Sequence, residues 1–166
     1  MKTSIDVVSE SGDRFKRLVS PALRYTDYCV INELEAQQTT GVLLRDESGK
    51  LHVENMKQAL TKMRELGVST WAVIHCPEIG CGMDQDGNYY EEKSLKLPKG
   101  YIQGTVGAGD AFCAGVLYAA ETGKTLPEAL RIGACSAAAS LSAVSASDGV
   151  KTAAEVMELY NLYKAE

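Results

Sequence analysis

A glycine-rich run that leads straight into a stretch of small apolar residues is the feature that most constrains this fold. It reads Gly-Thr-Val-Gly-Ala-Gly-Asp-Ala-Phe over residues 104–112, and residues 111–120 have the character of a buried helix. The glycines therefore lie at a helix N-terminus, where free N–H groups and the positive end of the helix dipole favour an anion such as phosphate. Asp110 repels such an anion, so it is better explained as a base acting on the group that attacks a phosphate. The run predicts phosphoryl transfer.

The spacing of this run is equally compatible with a second interpretation, in which an aspartate after a glycine turn only stabilises the helix through its dipole. The sequence of the whole run favours the first interpretation, phosphoryl transfer, because it resembles the signature D-T-x-G-A-G-D-x-F of the ribokinase-like (PfkB) family of carbohydrate and nucleoside kinases. Gly-Ala-Gly-Asp is intact at 107–110 and Phe112 is in place, whereas Gly104 stands where the family usually has aspartate. Three further segments follow the family's order, namely residues 114–115, 126–130 and 137–139.

This resemblance implies a kinase that uses ATP and Mg²⁺ and phosphorylates a small sugar or nucleoside. In the implied mechanism Asp110 takes the proton from a substrate hydroxyl as that oxygen attacks the γ-phosphoryl group of ATP. The backbone N–H groups of Gly107, Ala108 and Gly109 would form an anion hole that stabilises the transferred charge. The segment around Ala134 is expected to pass near the adenine.

Asn32 and Glu35 follow an apolar run of strand length and lie three residues apart. From the residues alone, a helix cap with acidic residues in the first turn is the favoured interpretation. The resembling family, however, carries an N-x-x-E motif at this place, which is used near Mg²⁺ and the nucleotide phosphates. It implies that Asn32 and Glu35 hold Mg²⁺ through water, because magnesium keeps most of its waters in proteins.

A second nucleotide-binding segment is expected at the end of the buried run 71–75, where the family usually has T-x-G. Here His75 replaces the threonine and Pro77 replaces the glycine. Proline has no N–H to offer a phosphate. The glycine needed there is expected to be Gly80 or Gly82, and His75 and Gly80 are candidate nucleotide contacts.

The pattern of strands and helices predicts an α/β fold. The strand candidates are residues 5–8, 28–31 and 71–75, with a hairpin over residues 80–92. Helix starts are predicted from caps at Asn55 with Gln58, Thr125 with Glu128 and Thr152 with Glu155. The alternation implies a three-layer α/β/α arrangement with a mostly parallel sheet, in a single domain over residues 1–166.

Composition argues against several classes of function. The formal net charge is −5 without a cluster of basic residues, so nucleic acid is not an expected partner. No apolar run approaches the roughly 18 residues that span a bilayer. The five cysteines include no C-x-x-C pair, and their odd number argues against a disulfide framework. We expect a cytoplasmic protein without a membrane partner, and an exposed sheet edge makes a homodimer a candidate assembly.

The resemblance extends from Thr3 to the end of the chain, yet full members of the family are almost twice as long. It implies that residues 1–166 correspond to the C-terminal, ATP-binding half of a ribokinase-like kinase, with the N-terminal half and its β-lid absent. The chain alone is then expected to be inactive, as a fragment or a shortened product. Two alternatives stay open: a nucleotide-binding remnant without catalysis, and a structural domain whose glycine turn has no ligand.

Overall fold

A computed structural model describes residues 1–8 and 14–165 of the protein, without the side chains of Arg14 and Lys16. The described strands are β1 (Ser4–Ile5), β2 (Tyr28–Asn32), β3 (Trp71–His75), β4 (Ile79–Met83) and β5 (Tyr89–Lys93). The described helices are α1 (Arg14–Ala22), α2 (Glu33–Thr40), α3 (Met56–Glu65), α4 (Ala108–Glu121), α5 (Leu126–Ser140) and α6 (Ala153–Tyr163). Among the described residues, no helix is both long enough and apolar enough to cross a membrane.

The strands form one sheet in the order β1-β2-β3-β4-β5. β1 pairs with β2, and β2 with β3, in parallel. Parallel neighbours need a long crossover, and helices α1 to α3 lie in the two crossovers. Short connections, 76–78 and 84–88, then lead into β4 and β5, and lengths of this kind are typical of hairpins. The predicted α/β class with a mostly parallel sheet flanked by helices is confirmed.

The chain divides into two compact units. The first comprises residues 1–76 and 81–90, and the second comprises residues 77–80 and 91–166. The assignment of residues 1–166 to a single domain stays a prediction.

The core of the first unit lies where α3 and the parallel strands bury their apolar side chains. Its fully buried members include Val30, Ile31, Leu60, Met63, Val73 and Ile74. Burying one such side chain contributes roughly 1.5–3 kcal/mol. Trp71 packs edge-to-face on Tyr28, with ring centroids 5.4 Å apart. Each of these residues lies in an element predicted from the sequence.

One local prediction in the first unit is wrong and a second holds only in part, since α3 begins directly after Asn55 as predicted but without the expected side-chain bond. β1 ends at Ile5 rather than at Val8, because the Asp6 carboxylate accepts a hydrogen bond from the N–H of Val7 (2.8 Å) and draws the backbone out of the strand. Asn55 does not cap α3 with its side chain. It belongs to a short 3₁₀ turn, Val53–Asn55, and its Nδ2 donates instead to the carbonyl of Leu43 (2.9 Å).

The second unit is organised around the contact of α4 with α5. Gly115 on α4 approaches α5 so closely that a Cβ there would lie 2.7 Å from the hydroxyl of Ser136 and 2.9 Å from the Cα of Gly133. The small residues of α5 thus permit a close helix–helix contact. The predicted capping box at Thr125 is present, with its N–H donating to the carboxylate of Glu128 (2.8 Å).

Asp27 ties the N-terminal strand of the first unit to its neighbours. Its carboxylate accepts from the ammonium of Lys2 (2.7 Å), the N–H of Thr3 (2.9 Å) and the hydroxyl of Ser69 (2.9 Å). These donors, Lys2 foremost, hold the pKa of Asp27 far below its usual value. A group with a depressed pKa contributes stability that is present above its unfolded pKa of about 4 and is lost as the pH falls through the folded value.

We therefore expect Asp27→Asn to lower the urea midpoint of the first unit at neutral pH and to flatten its decline below about pH 4. The fluorescence of the single tryptophan, Trp71, reports this unit. Asp86→Asn is the matched control, because Asp86 lies in the exposed turn before β5. If the urea midpoint and its decline at acid pH equal those of the control, Asp27 does not contribute to the stability of the unit.

Candidate functional site

The N-terminus of α4 in the second unit carries the predicted anion hole. Gly107 occupies the N-cap position with φ 83°, a left-handed conformation that favours glycine, and the helix begins at Ala108. The first turn contains Gly109 and the exposed Asp110. The first N–H groups of any α-helix have no partner within the helix, which makes a helix start a site for an anion. Here the N–H of Ala108 donates to the carbonyl of Thr105, outside the helix, over 3.4 Å. The geometry is that of an anion-binding helix start beside one carboxylate.

The turn before α4 packs against the backbone of residues 143–146. A Cβ at Gly104 would lie 2.8 Å and 2.9 Å from the carbonyl oxygens of Ala143 and Val144, and one at Gly107 would lie 2.7 Å from that of Ala146. Real Cβ atoms do not approach backbone oxygen this closely. In this protein, therefore, the loop backbone fills the space that an aspartate at Gly104 would need. This packing gives the departure at Gly104 a physical reason.

Gly80, a candidate nucleotide contact, has a packing role in the second unit. A Cβ at Gly80 would lie 2.9 Å from the ring of Phe112, and one at Gly133 would lie 3.1 Å from it. The two glycines form a slot for Phe112, which is 5% exposed. Ala134, the adenine candidate, lies on α5 and is 7% exposed. Nucleotide contact by Gly80 and by Ala134 stays a prediction.

Asn32 and His75 are neighbours at the ends of two parallel strands in the first unit. Asn32 ends β2, His75 ends β3, and the two residues pair in register. Ligands of open α/β sheets bind outside the carboxyl ends of the strands, which is where both residues lie. The structure therefore brings together two predicted site residues, Asn32 and His75.

Asn32 and Glu35 form a capping box at the start of α2. The Asn32 side-chain oxygen accepts from the N–H of Glu35 (2.9 Å), and the Glu35 carboxylate accepts from the N–H of Asn32 (2.9 Å). Glu35 is 4% exposed. The helix-cap interpretation of these two residues is thus confirmed, and their role toward Mg²⁺ stays a prediction.

The donor groups near Asn32 fit magnesium only as partners that act through water. Among the described residues, no group of three or more His, Cys, Asp or Glu side chains is placed to hold a metal ion. The amide and carboxylate oxygens of Asn32 and Glu35 are hard donors of the kind that Mg²⁺ prefers, but each also serves the capping box. These residues fit an ion that is bound chiefly by water and substrate phosphates and contacts the protein through water.

Sequence reasoning missed a buried ion pair beside this turn. The Nε of Arg45 donates to the carboxylate of Glu33 (2.7 Å), and the two side chains are 17% and 9% exposed. Glu33 is the first residue of α2 and follows Asn32 directly. The partners lie 12 positions apart and no motif joins them, so no local signal in the sequence pointed to the pair.

Comparisons with known proteins agree on the family. The model of the pfkB family of carbohydrate kinases matches residues 2–153. A 5-dehydro-2-deoxygluconokinase from Bacillus licheniformis is 27% identical over 117 residues, which cover 70% of this chain and 34% of that protein. Among solved structures, Arabidopsis thaliana ribokinase complexed with ribose and ATP has a TM-score of 0.74 at 22% identity, with 95% of this chain and 47% of that chain covered.

A structure of an E. coli protein described as a ribokinase II, in complex with ATP and Mg²⁺, has a TM-score of 0.75 at 14% identity, with 97% of this chain and 49% of that chain covered. At such identities the structural likeness shows the fold. The chain spans a third of the curated relative and about half of each of these two structures. Because the family model matches nearly the whole chain, the protein belongs to the pfkB family of carbohydrate kinases.

Proposed function

We propose that the protein is an ATP-dependent kinase that phosphorylates a hydroxyl group of a sugar or a related small molecule. The observation that carries this proposal is the start of α4, where Gly107 ends a left-handed turn and Asp110 lies exposed in the first helical turn. Membership of the pfkB family supports the reaction class. The roles of Asp110 as the base and of the helix start as an anion hole are the more detailed part of the proposal.

In the proposed reaction the exposed carboxylate of Asp110 accepts the proton of the substrate hydroxyl. The oxygen left behind forms a bond to the γ-phosphorus of ATP as the bond from that phosphorus to the β-phosphate oxygen breaks, and ADP leaves. The N–H groups of Gly107, Ala108 and Gly109 donate to the transferred oxygens. Losing one such donor typically costs about 3–4 kcal/mol in kcat.

Asn32 and Glu35 have a separate role in the proposal, through water, toward magnesium on the nucleotide phosphates. A bound Mg²⁺ would neutralise phosphate charge as it builds up in the transition state. His75 joins this part because it lies beside Asn32 at the strand ends. A cytoplasmic location is also proposed, in keeping with five cysteines, an odd number that includes no C-x-x-C pair. The expected homodimer and the expected lack of nucleic-acid and membrane partners stay predictions.

A nucleotide-binding remnant without catalysis is the second candidate. One observation favours it: Pro77 has no N–H where the family has glycine. The two solved relatives described above are about twice the length of this chain. On either candidate, we expect useful turnover to need the additional half that those relatives have. Without it the reacting groups stay in contact with water, where electrostatic stabilisation is much weaker.

The test is an ADP-release assay with ATP and Mg²⁺ on the natural protein that contains these residues and on residues 1–166 alone. Ribose, 5-dehydro-2-deoxygluconate and 2-dehydro-3-deoxygluconate are suitable first acceptors, because relatives are named for these substrates. Acceptor-dependent ADP release by the natural protein supports the kinase. Binding of a non-hydrolysable ATP analogue without any acceptor-dependent turnover supports the remnant, and absence of both contradicts the two candidates.

A further inference from the structure

A small hairpin, residues 45–52, follows α2 in the first unit. Arg45 and Leu51 form an antiparallel bridge, and the Asp46 carboxylate holds the turn between them. One oxygen of that carboxylate accepts from the N–H of Ser48 (2.9 Å) and from the N–H of Lys50 (3.1 Å). The shape of the hairpin therefore depends on where the Asp46 side chain is held.

His52 lies between two carboxylates at the base of this hairpin. Its Nε2 is 3.1 Å from Asp46 Oδ2 and its Nδ1 is 3.1 Å from Glu54 Oε1. A neutral imidazole has one N–H, so only the protonated ring donates to both carboxylates at once. Loss of the proton turns one of these contacts into a lone pair facing a carboxylate. Both contacts of His52 are therefore hydrogen bonds only when the ring is protonated.

Arg45 connects this hairpin to the first turn of α2. Its Nη1 donates to the carbonyl of Gly49 in the turn (2.7 Å), and its Nε donates to the carboxylate of Glu33 (2.7 Å). Both side chains of the ion pair are largely buried, so solvent screens their contact little. Glu33 adjoins Asn32, whose capping box with Glu35 opens the same helix. A continuous set of contacts runs from His52 through the turn to Arg45 and Glu33.

We propose that the 45–52 hairpin is a proton-sensitive clamp on the first turn of α2, closed by protonated His52 and connected to that turn by Arg45. The clamp regulates the turn that carries Asn32 and Glu35. An effect of this regulation on activity rests on the proposed function. The physical coupling does not depend on it. A rise in pH releases the clamp, and the capping-box turn then has more freedom to move.

The pH range follows from the charges that face the ring. The carboxylates of Glu54 and then Asp46 raise the pKa of His52 above its usual value near 6.5. The pKa of Glu54 is lowered in turn, first by a hydrogen bond from its own backbone N–H, then by His52, and least by the Lys50 ammonium. A raised pKa in the folded protein means that the contribution is complete below about pH 6.5 and is lost as the pH rises through the folded value.

The experiment is a ¹⁵N NMR titration of residues 1–166 between about pH 5 and 8. The chain has two histidines, and the second, His75, pairs in register with Asn32. His75→Gln therefore removes the competing source of a shift at that turn, and the clamp is tested in this background. We expect the amide signals of Arg45, Glu33 and Glu35 to shift with the same midpoint as the His52 ring.

Two further substitutions test the parts of the clamp. His52→Gln is expected to abolish the shifts at all these amides. Arg45→Gln is expected to leave the titration of His52 intact and to remove the shifts at Glu33 and Glu35. The proposal is overturned if the shifts at α2 persist in either variant. It is also overturned if these shifts are absent from the His75→Gln background while His52 titrates. No turnover is measured, so failure here leaves the proposed role of Asp110 untouched, and an inactive kinase leaves the clamp untouched.

Discussion

Replacing Asp110 by asparagine is expected to lower kcat for acceptor phosphorylation by about 10²–10⁴-fold, the usual contribution of a general base. The side chain keeps its size and position at the start of α4 but loses the ability to take a proton. ATP affinity is expected to stay within a few-fold of wild type, because the backbone N–H groups of the same turn are unchanged. The measurement is the steady-state kinetics of the natural protein with its best acceptor.

The matched control for this substitution is Glu121→Gln at the last residue of α4, which removes one carboxylate from the same helix. It separates loss of a base from loss of charge. If Asp110 only stabilises the helix dipole, its replacement costs under about 1 kcal/mol of stability and leaves kcat close to that of the control. Near-normal turnover in Asp110→Asn would remove this residue from the mechanism.

The elements that could be predicted from the sequence are those whose signals are local. The buried run 71–75 became β3, and the box of Thr152 with Glu155 begins α6, as expected. At Asn55 the same type of signal predicted the helix start but not the fate of the side chain, whose amide donates to the carbonyl of Leu43, 12 positions away. An N-cap side chain accepts a hydrogen bond from an N–H of its own helix, whereas a distant carbonyl that accepts from the same side chain can hold it in another orientation, so only the fold decides whether the cap forms.

In the candidate site, too, the local features could be predicted from the sequence and the long-range contacts could not. The glycine-rich run predicted a helix N-terminus at this place, because Gly107 and the small residues after it are sequential neighbours, although α4 begins at Ala108 rather than at residue 111. The slot that Gly80 and Gly133 make for Phe112 joins three distant segments, so nothing in the sequence distinguished a packing glycine from a ligand-binding one. The loop backbone against Gly104 is likewise a long-range contact.

Asn32 and Glu35 show why a motif and a structural role need not compete. Sequence reasoning weighed a helix cap against a magnesium site as alternatives. The capping box is present, and it fixes the two side chains at the carboxyl end of β2, where a ligand of this type of sheet binds. A capped turn keeps the same oxygens in a constant position, which is also what an interaction with magnesium through water requires.

Gly107→Ala is expected to destabilise the second unit by about 2–5 kcal/mol, the sum of two separate penalties. An alanine at φ 83° is strained by about 1–2 kcal/mol. Its Cβ would also lie 2.7 Å from the carbonyl oxygen of Ala146, a backbone atom that moves only with its loop, and overpacking of this kind costs typically about 1–3 kcal/mol. Urea unfolding followed by far-UV circular dichroism measures the loss.

Gly123→Ala carries only the first penalty, so its comparison with Gly107→Ala isolates the second. Gly123 has a similar left-handed conformation, φ 71°, in the same unit, but no atom lies within 4 Å of a Cβ built there. This variant is expected to lose only the conformational contribution of about 1–2 kcal/mol. A larger loss in Gly107→Ala measures the close approach of the loop to the anion-binding turn. Equal losses in the two variants would show that this loop moves aside freely and does not hold the turn.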